Sequence, residues 1–130
     1  MENKMKSINT KNAPQAIGPY VQAKIVGNII FTSGQIPLTK DGILVSNNFE
    51  KECIQVLDNI KAILESSGSN MSNIIKLTVY LTDLSKFDVL NKIFEKYFNK
   101  SSLPARSTVE VSSLPKNVRV EIEAIGSIDE

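Results

Sequence analysis

The stretch Leu103-Pro104-Ala105-Arg106-Ser107-Thr108-Val109-Glu110-Val111 constrains the fold more than any other part of the chain. Pro104 biases Leu103 towards an extended backbone, and the residues after it alternate apolar and polar with the period of a half-buried strand. Val109 and Val111 then share one face. Arg106, Thr108 and Glu110 share the other, which holds a guanidinium near the start of a rigid strand. A planar fork of donors that stays charged near neutral pH suits a carboxylate or phosphate. An intramolecular salt bridge is the other reading of Arg106, and this stretch by itself favours it.

The rest of the chain supplies a sheet and its cover. Residues 13–20 carry two prolines and a glycine and read as an ordered loop, with Tyr20 at its exit into a strand over 21–26. Gly27-Asn28 is a tight hairpin turn to a second strand over 29–33. Ser33-Gly34 ends that strand, either as a plain turn or as a place where a ligand or another backbone comes close. Phe49, Cys53, Val56, Leu57, Ile60, Ile63 and Leu64 recur at helical spacing, with Gly68 as the stop. A third strand covers 74–81. Asp83-Leu84-Ser85 offers caps for a second helix, with Ser85 and Asp88 in a capping-box-like arrangement, and the apolar face of that helix holds Phe87, Leu90, Phe94, Tyr97 and Phe98. Asn91 lies on that side, where a buried amide either braces a loop or points into a site. In the last strand Val118, Val120, Ile122 and Ala124 face one way, and Arg119, Glu121 and Glu123 the other.

This order, ββαβαββ, predicts an α+β domain over residues 1–130 with two helices on one face of a sheet. The opposite face, to which Lys76, Thr78, Tyr80, Thr108 and Glu121 are assigned, has no cover of its own. Association of like subunits is the economical answer, with clefts at the joints that collect polar residues from two chains.

Histidine is absent from all 130 residues, which removes more chemistry than any other feature. No Ser-His-Asp triad, Cys-His pair or HExxH zinc site can form, and no carboxylate cluster has ligand spacing. Any proton transfer falls to Glu, Asp, Tyr, Lys or water. Glycine-rich nucleotide loops of the GxGxxG and GxxxxGK[ST] types are missing. A net charge of +1 from interspersed lysines and acids advertises no nucleic-acid surface. The lone Cys53 fits a reducing compartment, and no apolar run approaches the roughly 18 residues of a membrane span. Residues 1–6 do not open a secretion signal, so a cytoplasmic location is expected. Cys53 falls on the apolar stripe of its helix and reads as a small buried hydrophobe.

Four stretches in order, Ala13-Pro14-Gln15-Ala16-Ile17-Gly18-Pro19-Tyr20, Ser33-Gly34-Gln35-Ile36-Pro37, Pro104-Ala105-Arg106-Ser107 and Val120-Glu121-Ile122-Glu123-Ala124-Ile125, closely resemble the motifs of the Rid (YjgF) family of enamine/imine deaminases. Asn59 and Asn91 also fall where that family has asparagine. The resemblance implies a chorismate-mutase-like fold in which the last strand inserts between earlier strands of a mixed sheet. It implies a homotrimer with a site in each cleft between subunits. Carried over by position, Arg106 clamps the substrate carboxylate, Glu121, Tyr20 and Ser33 join it as catalytic residues, and Gly34, Asn91 and Thr108 line the cleft. The implied reaction is hydrolysis of 2-aminoacrylate, 2-aminocrotonate and their 2-imino acid tautomers to 2-keto acid and ammonia, without metal or organic cofactor. Such enamines leave pyridoxal-phosphate enzymes, threonine and serine dehydratases among them.

Val21, Glu52, Phe94 and Thr108 stand where the family often has serine, glutamine, tyrosine and cysteine. Thr108 changes the cleft wall beside Arg106 and bears on substrate preference. An ion pair with Arg119 or Lys76 is the other reading of Glu121. A non-catalytic trimer that binds a small carboxylate for regulation is the alternative function. The charge pattern gives no support to an RNA-cleaving activity.

Overall fold

Strand β4 (Ile74–Leu81) shows how the layers arise. Leu77, Val79 and Leu81 are fully buried, and Lys76, Thr78 and Tyr80 between them are half-buried, so a period of two gives the sheet one apolar and one polar face. Helices α1 (Phe49–Ser66) and α2 (Phe87–Tyr97) cover the apolar face. α1 presents Cys53, Val56, Leu57, Ile60, Ile63 and Leu64, while α2 presents Leu90, Ile93 and Phe94. Each fully buried Leu or Ile stabilises the fold by about 1.5–3 kcal/mol relative to exposure. This description of the molecule comes from a computed structural model and covers residues 5–128. Residues 1–4 of the run read above for a secretion signal lie outside it.

The remaining strands are β1 (Met5–Ile8), β2 (Ala23–Val26), β3 (Ile29–Thr32), β5 (Ala105–Glu110) and β6 (Val120–Ser127), and the sheet order is β1-β2-β3-β6-β4-β5. Only β4 and β5 run parallel, so the sheet is mixed and the fold is α+β, as expected. β6 lies between β3 and β4 instead of forming a hairpin with β5. Its register, from Ile74↔Gly126 to Leu81↔Val120, sets Val120, Ile122 and Ala124 beneath the helices.

Three local expectations are corrected. The order is βββαβαββ, because Met5–Ile8 pairs with β2 from Met5↔Val26 to Ile8↔Ala23. That edge strand buries almost nothing, so backbone pairing holds it and its side chains carry no alternation to read. The capping box of Ser85 and Asp88 does not form. Asp83, the first of the caps on offer, does cap a short turn before α2, accepting from the backbone and hydroxyl of Ser85 at 3.0 and 2.6 Å. Thr108 lies on the helix face, since Arg106 pairs with Leu77 and Thr108 with Val79. Val109 pairs outward with Tyr80 and is 41% exposed. β5 is the sheet's edge, past the core, so its apolar residues do not mark the buried side.

The Gly27-Asn28 hairpin is present, with Gly27 at φ +61°. Asn48 caps α1 by accepting from Lys51 N–H at 2.9 Å, and Gly68 ends it at φ +89°.

Candidate functional site

The loop before β2 is built around one buried amide. Gln22 is 1% exposed; its Oε1 accepts from Thr10 N–H at 2.6 Å, and its Nε2 donates to the carbonyls of Thr10, Ala13 and Pro14. This packs residues 10–14 against the sheet and forms one wall of a cavity of about 350 Å³, lined among others by Tyr20, Ser33, Gly34 and Glu121. Asn59 of α1 braces another wall, donating to the carbonyls of Ile36 and Leu38 at 3.2 and 2.8 Å. Ser33 Oγ donates to Val21 O at 2.6 Å, leaving its lone pairs for a donor. The Tyr20 hydroxyl accepts from Ile17 N–H at 3.4 Å, and the side chain is 48% exposed at the mouth.

Glu121 lies against Gly34 so closely that a Cβ there would sit 2.0 Å from Glu121 Oε2. Gly34 is thus more than a plain turn residue, but what comes close is a side chain and not the ligand or backbone expected from the sequence. Among the described residues the Glu121 carboxylate has no hydrogen bond and no ion pair, and burial, then the charge of Glu123, holds its pKa above the usual glutamate range. Neither Arg119 nor Lys76 pairs with it. Arg119 is spent on buried Glu52, its Nε donating to Oε1 at 3.0 Å while a second guanidinium nitrogen meets Oε2.

Arg106 forms a second cluster. Its guanidinium carbon lies 5.2 Å from the Phe87 ring centroid and 5.1 Å from that of Phe94, an aromatic seat for a cation. No carboxylate pairs with it among the described residues, where the salt-bridge reading is therefore not realised. With Asn91, Leu103 and Pro104 it lines a cavity of about 340 Å³. Asn91 braces no loop among the described residues. Thr108 Oγ1, on the same face, is buried without a hydrogen-bond partner. Cys53 is fully buried in the core, which pushes its thiol up to about 12.

The predicted residues thus fall into two groups separated by the sheet. Arg106 pairs in register with Leu77, and Glu121 with Tyr80. Leu77 and Tyr80 point to opposite faces of β4, so Arg106, Asn91 and Thr108 lie on the helix side and Tyr20, Ser33, Gly34 and Glu121 on the other. Sequence reasoning passed over Gln22, whose one signal is a polar residue set in the apolar run Val21-Gln22-Ala23. It likewise gave no role to Gln35, whose backbone bridges to Ile122 and carries Gly34 against β6. Among the described residues no group of His, Cys, Asp or Glu could hold a metal ion, and no helix is long and apolar enough to cross a membrane.

Fold and clefts define a two-layer α+β protein with a cavity that holds an unpaired glutamate on one face of its sheet and a cavity that holds an unpaired arginine on the other. Residues 10–128 match the endoribonuclease L-PSP family, and the chain belongs to that family, the one whose YjgF members its motifs resemble. A RutC family protein of Pyrococcus horikoshii is 50% identical over 119 residues, 91% of this chain and 94% of that protein. The 2-iminobutanoate/2-iminopropanoate deaminase of Escherichia coli K12 is 48% identical over 122 residues, 92% of this chain and 95% of that enzyme. Among solved structures, Escherichia coli TdcF with bound serine superposes with a TM-score of 0.89 at 41% identity, covering 95% of this chain and 99% of that one.

Proposed function

We propose that this protein hydrolyses small 2-imino acids, and the 2-aminoacrylate and 2-aminocrotonate enamines in equilibrium with them, to 2-keto acids and ammonia. The working form is a homotrimer in which each cleft joins the Arg106 half-site of one subunit to the Glu121 half-site of the next. The observation that carries this reading is the separation of an unpaired arginine and an unpaired, partly buried glutamate onto opposite faces of one sheet. Each half is incomplete in one chain, and a second copy supplies what is missing. The deaminase name of the Escherichia coli relative, and the small carboxylate bound by TdcF, support the substrate class.

In this reaction the Arg106 fork holds the substrate carboxylate and fixes the imine carbon relative to Glu121. Tyr20 and Ser33 bound the same space and orient the attacking water. Protonated Glu121 gives its proton to the imine nitrogen, and water adds to the resulting iminium carbon while its proton passes to the Glu121 carboxylate. The neutral carbinolamine takes that proton on nitrogen, and the C–N bond breaks as the hydroxyl proton returns to Glu121, which leaves the keto acid, ammonia and the protonated carboxyl. A carboxyl whose pKa is raised towards neutrality suits these transfers. Thr108 and Asn91 shape the end of the cleft that receives the substrate's side chain.

The test is a coupled assay in which threonine dehydratase generates 2-aminocrotonate and 2-keto acid release is followed with and without this protein. Acceleration that scales with the protein supports deamination. Tight binding of 2-keto acids without acceleration would instead support the non-catalytic carboxylate-binding role.

A further inference from the structure

On the polar face of the sheet, Glu121 and Glu123 stand two residues apart on β6, so their side chains project side by side, roughly 7 Å apart at the backbone. Tyr80 lies opposite Glu121 in the register of β4, yet its hydroxyl donates to Glu123 Oε1 at 3.2 Å. The phenol therefore spans both positions and pins the second carboxylate beside the first. Glu121 lines the cavity and Glu123 does not. The face holds little to neutralise them. β4 contributes Lys76, Thr78 and Tyr80, β3 contributes Phe31 with Ser33 beyond its end, β5, beyond β4, contributes only Ala105, Ser107 and Val109, and Arg119, two residues before Glu121, is paired with Glu52. Lys24 is on β2, one strand further out, and Tyr20 approaches from the loop. Neither lysine lies within ion-pair distance of either glutamate.

We infer that Glu123, anchored by Tyr80, is a positioning residue for the candidate site, its negative charge holding the proton on Glu121 that the deamination uses. The inference rests on the proposed proton role of Glu121. A hydrogen bond from a phenol favours the charged form of a carboxylate, and that charge disfavours a second one beside it. The raised pKa of Tyr80, caused by its burial and then by Glu123, keeps the donor proton in place near neutral pH. Tyr80 thus acts through Glu123, and Glu123 through Glu121.

Carboxyl-carbon NMR titration of the assembled protein tests this without reference to turnover, with the Glu121 resonance assigned from Glu121→Gln. In Glu123→Gln the Glu121 midpoint should fall by about half a pH unit or more, the scale of one neighbouring charge at partly screened range. Tyr80→Phe should move it the same way by less. The limb of the pH–rate profile that reports Glu121 should follow. A midpoint that stays at the wild-type value in Glu123→Gln, or rises, overturns the inference. A midpoint that falls while the rate profile stays put upholds the coupling and removes the proton role of Glu121 instead.

Discussion

Gly34 leaves room for Glu121: a methyl group at residue 34 would fall 2.0 Å from Oε2, 2.9 Å from Cδ and 3.1 Å from Cγ of the glutamate. The atoms in the way belong to a side chain that can swing aside. Gly34→Ala should therefore fold, with Tm lowered by no more than a few degrees, but with the carboxylate displaced from the cavity. Turnover should drop roughly 10-fold or more while product binding changes little, as expected when a transition-state contact alone is lost. Normal kcat in Gly34→Ala would show that the place of Glu121 does not matter to the reaction.

For Glu121→Gln, turnover and stability should move in opposite directions. Loss of the proton carrier should lower kcat by roughly 10²-fold or more, with binding of a 2-keto acid preserved. The folded-state pKa of Glu121 is raised, so its contribution to stability is fully present below the usual glutamate range and is lost as pH rises through the raised value. Above the raised value the ionised carboxylate is therefore a liability that the amide lacks. Differential scanning calorimetry should give the variant a Tm at or above wild type at pH 7, with the gap closing as pH falls towards about 4. A clear loss of Tm at pH 7 would mark Glu121 as a structural partner.

Arg106→Lys keeps the charge and loses the planar fork that lies over the rings of Phe87 and Phe94. A point-like ammonium cannot bind a carboxylate bidentately, so kcat/KM should fall at least roughly 10-fold and keto-acid binding should weaken, with melting near wild type. Wild-type kcat/KM in this variant would make the arginine a bystander.

Asn59→Ala tests the scaffold. It removes the donor to Ile36 O and Leu38 O in a buried setting, at a cost of about 1–3 kcal/mol, so Tm should fall by roughly 5–10 °C. Unchanged melting would mean that water replaces the amide.

Alternation made β4 and β6 legible in the sequence, because both are central strands buried on one face, and helical spacing made α1 and α2 legible for the same reason. β1 was not legible, since an exposed edge strand buries no row of side chains. Thr108 was placed on the wrong face by the same logic: at the sheet's edge Val109 points to solvent and Arg106 to the aromatic side of α2. The insertion of β6 between β3 and β4 followed from the family resemblance alone, because strand order depends on long-range pairing that no local pattern encodes. Arg106, Glu121, Tyr20, Ser33 and Gly34 were found from motifs. Their division between two faces emerged only from the register.

That division is tested most directly by mixing two inactive variants. Arg106→Ala and Glu121→Gln subunits, unfolded and refolded together in equal amounts, should form hybrid trimers in which some clefts receive a wild-type Arg106 half from one chain and a wild-type Glu121 half from its neighbour. Random assembly makes about a quarter of the clefts wholly wild type, so the mixture should recover about a quarter of wild-type deamination, although each variant alone has almost none. Hybrid trimers verified by native mass spectrometry that recover no activity would contradict a site shared between subunits.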